Sequence, residues 1–157
     1  MPSQRRDYIM QQIDLLRQFV ARVARTKEDA GLEDMLQLSF NLQEKLFGRP
    51  PVEFLRLAVP DQVAALMAGE SKSAGHEKCL TYARLLKETA ALYEFRGRDD
   101  LAFGARQLGL HVALTVGLDH PEQSESVHAL VDELLPTKAL DELHPPVKAL
   151  LEEYAKL

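Results

Sequence analysis

The chain has 157 residues, 46% of them hydrophobic and 27% charged, with a formal net charge of −5 and a pI near 5.5. That length suits one domain with its own core, the apolar fraction excludes a disordered chain, and the acidic balance excludes a broad nucleic-acid-binding surface. A single cysteine excludes an internal disulfide framework and suits a reducing compartment, and the N-terminus leads into a charged amphipathic helix with no apolar signal core, so a soluble cytoplasmic protein is expected.

The first predicted helix spans about residues 5–25. Ile9, Ile13, Leu16, Val20 and Val23 alternate at steps of four and three, which is one stripe of a helix, and Tyr8, Leu15 and Phe19 widen it. Such a stripe faces a core. Because its spacing is also heptad-like, Ile9, Ile13, Leu16 and Val20 are candidates for self-association with a second copy in a symmetric homodimer. After a polar turn at residues 26–31, a second helix over about 32–47 turns Leu32, Met35, Leu36, Leu42 and Leu46 inward. Gly48 and Pro50-Pro51 stop it.

Residues 52–68 read as two short helices, the second started by Pro60. The glycine- and serine-rich stretch Gly69–Gly75 is the expected mobile loop. A helix over about 76–96 follows. Cys79, Ala83, Leu86, Ala90 and Tyr93 form one stripe, and Tyr82, Leu85 and Leu92 a second, so it can touch partners on two sides; Glu77, Arg84, Lys87, Glu88 and Glu94 fill the remaining face.

Gly97 ends that helix in the left-handed conformation, and Asp99-Asp100 open the next, where carboxylates suit the positive helix end. The helix over about 99–118 is apolar nearly all round in its last half, as buried helices are, and falls short of the roughly 20 apolar residues of a membrane span. Ala102, Ala105 and Gly109 share a face that permits close approach. A helix begun at His120-Pro121 carries Val127, Leu130, Val131, Leu134 and Leu135 and ends at Pro136. A short segment over 137–143 precedes a last helix begun by Pro145-Pro146, with Val147, Leu150, Leu151 and Tyr154 inward.

Ala90, Tyr93, Gly97, Ala102 and Gly109 fall where a tetratricopeptide (TPR) repeat puts its small, Tyr, Gly, Ala and Ala positions, so the segment resembles that repeat; Arg106 stands at a usually aromatic position and no proline follows at the usual distance. The turns at Gly31 and Gly97 are followed alike by acidic residues and an apolar stripe, offset by about two repeat periods. The whole chain resembles a bacterial family of small uncharacterised proteins with TPR-like folds. The features carrying this are Arg6-Asp7-Tyr8-Ile9-Met10, Leu32-Glu33-Asp34-Met35, Leu85-Leu86-Lys87-Glu88 before Tyr93, and the helix begun by two prolines. The resemblance implies an all-α fold of antiparallel hairpins over 5–47 and 76–118, an insert over 52–68 and a cap over 121–157. It implies no activity.

No residue pattern announces catalysis. His76 and Cys79 stand three apart on one helix, within reach of one metal ion, but two ligands are not a site and Cys79 belongs to the apolar stripe. His111 lies inside the most apolar helix, where a packed histidine is the plainer reading and a catalytic base the sharper one. His120 and His144 precede prolines as helix-start residues, and His128 suits an exposed face. Adjacent carboxylates such as Glu33-Asp34 do not face each other on a helix. Arg84, Arg96, Arg98 and Arg106 gather near the central turn, either as a solvated rim or as a clamp for an anion or a chain-terminal carboxylate. The expectation is therefore a non-enzymatic module that binds a protein or peptide partner, or itself, with no cofactor, metal, nucleic acid or membrane. An enzyme using His111 and a small-molecule sensor are the alternatives.

Overall fold

A computed structural model describes residues 2–119, 124–135 and 140–157. Among these the chain is all-α, with no strand. The helices are α1 (Pro2–Thr26), α2 (Leu32–Phe47), α3 (Pro51–Leu55), α4 (Val59–Met67), α5 (Lys72–Phe95), α6 (Asp99–Asp119), α7 (Ser124–Leu134) and α8 (Pro145–Ala155), with a short 3-10 turn at Leu140–Glu142. The starts and stops follow the expected chemistry. Gly31, Gly48 and Gly97 take positive φ (90°, 71° and 79°), and the Gly48 N–H donates to the Glu44 carbonyl, closing the last turn of α2. Pro51, Pro60 and Pro145-Pro146 occupy first-turn positions.

The helix at the centre is α5. It packs against α1, α2, α4, α6 and α7, most extensively against α6, to which the tight turn at Gly97 joins it. Its buried residues run all round, from Cys79, Tyr82 and Leu85 to Thr81, Glu88 and Thr89. Two apolar stripes predicted two contact sides; five neighbours cover the polar side as well. The α6 helix is packed against α5, α7 and α8, where its small residues matter: a Cβ added at Gly109 would stand 3.0 Å from a Leu134 methyl, and one at Gly117 2.9 Å from a Val127 methyl. Against the expectation that it falls short of a membrane span, α6 is long and apolar enough to cross one, the single such helix among the described residues; half of its apolar window is buried inside the protein.

Two expectations are corrected, and a third falls outside the described residues. First, α5 begins at Lys72, inside the stretch expected to be a mobile loop. Ser71 caps it, its hydroxyl accepting from the Ala74 N–H at 3.2 Å, and Gly75 lies under Met67 because an added Cβ would meet its side chain at 3.0 Å. Second, the proposed self-association stripe points inward. Ile9, Ile13 and Leu16 are buried within the chain and Val20 is partly buried against the same core, because α5 and α2 together cover it. What α1 leaves exposed is Tyr8 and Leu15, 42% and 49% accessible. Third, the start of the seventh helix at His120-Pro121 and its stop at Pro136 lie outside the described residues.

Candidate functional site

The four arginines near the central turn do not form one clamp. Arg96 pairs with Glu33 and lines a wide recess of about 490 Å³ together with Asp29, Glu33 and Asp34, so three carboxylates face one guanidinium. Arg98 forks onto Asp100 with two hydrogen bonds of 3.2 Å at the exposed turn; this raises the guanidinium above its ordinary range and lowers the carboxyl below its own. Arg106 donates to Glu94 at 2.8 Å and to the Glu133 carbonyl at 3.0 Å, tying α6 to α5 and α7. Each of these three is occupied by the chain's own acceptors, which leaves no open two-pronged face for a foreign anion. Arg84 differs. It is half-buried, has no ion-pair partner among the described residues, and lines a groove.

That groove, about 260 Å³, lies between α1, α5 and α7. Met10, Ile13, Ala129 and Leu130 give it apolar walls, and Asp14, Arg17, Arg84, Lys87, Glu88 and Glu133 supply charge. The walls are fixed from behind: the Thr81 hydroxyl contacts the Met10 sulfur at 3.7 Å, and Ile13 and Leu130 are core residues. Two ion pairs mark the rim. Arg17 binds Asp14 at 2.6 Å along α1, and Lys87 binds Glu133 at 2.9 Å, strapping α5 to α7.

Glu88 belongs to the groove and is only 4% exposed. One oxygen, Oε1, is 3.6 Å from the Lys87 ammonium; the other, Oε2, is buried without a hydrogen-bond partner. Burial raises the Glu88 pKa, with a small contribution from Glu133, while Lys87 and Arg17 oppose the rise. A buried carboxylate oxygen without a donor is a costly arrangement, and such groups call for an explanation. Sequence reasoning placed Glu88 on the solvent face of α5. Nothing local marks it as buried, since the helices that cover it come from both ends of the chain.

The histidines and the cysteine have structural settings. His76 is 1% exposed, and its Nε2 lies 2.8 Å from the Asp119 carboxylate at the end of α6. Cys79 is fully buried, and burial pushes its thiol up to about 11. No group of three metal-ligating side chains exists among the described residues. His111 is half-buried and held below its ordinary pKa first by desolvation and then by His144. His144 caps α8, its backbone N–H donating to Gln107 at 2.7 Å, and exposed His128 meets the Tyr154 hydroxyl at 2.7 Å.

No family model, curated protein or solved structure matches this chain. Its chemistry must therefore be argued from its own residues. Within the groove, the two groups left over after the rim pairs are taken are the Arg84 guanidinium and the Glu88 carboxyl. They stand four apart on α5, one helical turn, on the same face, yet make no ion pair with each other.

Proposed function

We propose that the chain is a non-enzymatic binding module whose recognition site is the groove between α1, α5 and α7. One observation carries this reading: Glu88, nearly fully buried, with an oxygen lacking a hydrogen-bond donor, in a groove that also holds Arg84, which makes no ion pair among the described residues. Small, mostly apolar recesses with a few convergent polar groups are the usual form of a recognition site. The lining offers no nucleophile held by a base, so capture rather than turnover is the chemistry these residues support.

The test is amide-resolved NMR of the purified chain titrated with mixtures of peptides and of small metabolites. The reading expects shifts concentrated at Met10, Arg84, Glu88, Ala129 and Leu130. Shifts confined to other surfaces, or none from any mixture, overturn it. Native mass spectrometry of protein taken from its own host gives a parallel readout, since a retained ligand or partner appears as added mass.

A further inference from the structure

Resting on the groove reading, we infer that the ligand is a free α-amino acid with an unbranched or γ-branched apolar side chain: its ammonium on Glu88, its carboxylate on Arg84, its side chain against Met10, Ile13 and Leu130. Four features of the groove lead there.

Charge comes first. The lining holds three acids, Asp14, Glu88 and Glu133, and three bases, Arg17, Arg84 and Lys87. A ligand with net charge would leave the site unbalanced, whereas a zwitterion would not. Second, the two groups without full partners are of opposite kind. Oε2 of Glu88 is a buried acceptor lacking a donor, and the half-buried Arg84 guanidinium makes no ion pair among the described residues. A small molecule with an ammonium beside a carboxylate meets both needs at once with charge-assisted bonds. Terminal carboxyl torsions are soft, so Glu88 can turn Oε2 toward such a ligand at little cost.

Size is the third. A volume of about 260 Å³ lies below the roughly 300–1,000 Å³ of drug-sized sites and corresponds to about nine waters of roughly 30 Å³ each. Leucine and methionine, with nine non-hydrogen atoms each, are small enough for that space, whereas drug-sized ligands are not. The fourth is the Lys87–Glu133 pair, 2.9 Å long, which ties α5 to α7. An extended peptide running between those helices would have to break it, and a free amino acid would not.

Isothermal titration calorimetry on the full chain tests the inference, with leucine and methionine as probes. Leucinamide, lacking the carboxylate, and 4-methylpentanoic acid, lacking the ammonium, serve as the matched controls. The expected result is saturable binding of the amino acids, weakened about tenfold or more by either deletion, as the loss of a charge-assisted bond requires. Arg84→Gln should abolish the preference for leucine over leucinamide. Glu88→Gln should abolish the preference for leucine over 4-methylpentanoic acid, both variants being checked for unchanged helical circular dichroism. If either variant unfolds, the ligand analogues alone decide, because they use the native chain. Equal binding of leucine and leucinamide overturns the assignment. So does binding of a leucine-containing peptide where free leucine gives no heat, though the groove reading then survives. Absence of groove shifts with every class of ligand removes both.

Discussion

The hydroxyls of Ser39 on α2 and Thr89 on α5 meet at 2.5 Å in the buried contact between those helices. Their direction follows from the neighbours. The one proton of Thr89 goes to the Leu85 carbonyl at 2.7 Å, so Thr89 accepts from Ser39, and Ser39 in turn accepts from the Gln43 amide at 3.3 Å. Three side chains thus form a chain with one orientation, ending on a backbone carbonyl. It fixes how α2 seats on α5 in a way that apolar contacts alone would not.

Thr89→Val tests that chain. Valine keeps the shape but leaves Ser39 without its acceptor in a dry contact. The expected cost is about 1–2 kcal/mol, seen as a drop of roughly 2–8 °C in thermal midpoint. Combined with Ser39→Ala, the change should cost less than the two single changes summed, because either change alone already breaks the hydroxyl pair. Strictly additive costs would show that the hydroxyl pair is not coupled.

Glu88 should make stability fall with rising pH. Its folded pKa lies above the ordinary carboxylate value of 4.5, so the native state holds the proton more tightly than the unfolded chain does. The stabilisation is complete below the unfolded pKa and is lost as pH rises through the higher folded one. Glu88→Gln removes the titration. Urea unfolding from pH 4 upward should show a decline in the wild type that is reduced in the variant. Parallel curves would mean that Glu88 titrates normally.

On α1, adjacent residues should behave oppositely. Leu16 is fully buried, so Leu16→Glu places an unpaired charge in the core and is expected to cost more than about 4 kcal/mol, enough to unfold a marginal domain. Leu15 is half exposed, and Leu15→Glu should stay within about 0.5 kcal/mol. Circular dichroism melts of the two proteins give the answer directly. A folded Leu16→Glu chain would place that stripe on a surface after all.

Gly97→Val should lower stability by about 1 kcal/mol or more, since φ is +79° and a β-branched residue resists that conformation. There is open space around the missing Cβ, so crowding does not contribute. Gly97→Asn, which tolerates the left-handed region better, should fall between glycine and valine. If asparagine and valine cost the same, backbone strain is not the cause.

The helices and their ends were largely legible in the chain. Gly48 and Gly97, the prolines at first turns and the 3.6-residue stripes act locally, over one or two turns. The early start of α5 was also written there, as Ser71 three residues before Ala74, but the surrounding glycines masked it. The candidate site was not legible. Glu88 and Arg84 read as solvent-facing because the pattern of one helix cannot say that residues near 13 and near 130 will close over it. For the same reason the four arginines looked like a cluster: neighbours in sequence near a turn, three of them are drawn by Glu33, Asp100 and Glu94 to separate sites, and Arg84 lies in the groove.

The central position of α5 has a consequence for how the protein is made. Helices α1 and α2 leave the ribosome before α5 does, and they contact each other less than α1 contacts α5. Ile9, Ile13 and Leu16 therefore stay incompletely covered until residues 72–95 have been synthesised and have left the exit tunnel. That is an interval of several seconds at roughly 5–20 residues per second. During it the nascent chain displays the very stripe that the finished protein conceals, and a chaperone that reads amphipathic helices would find it there and nowhere later.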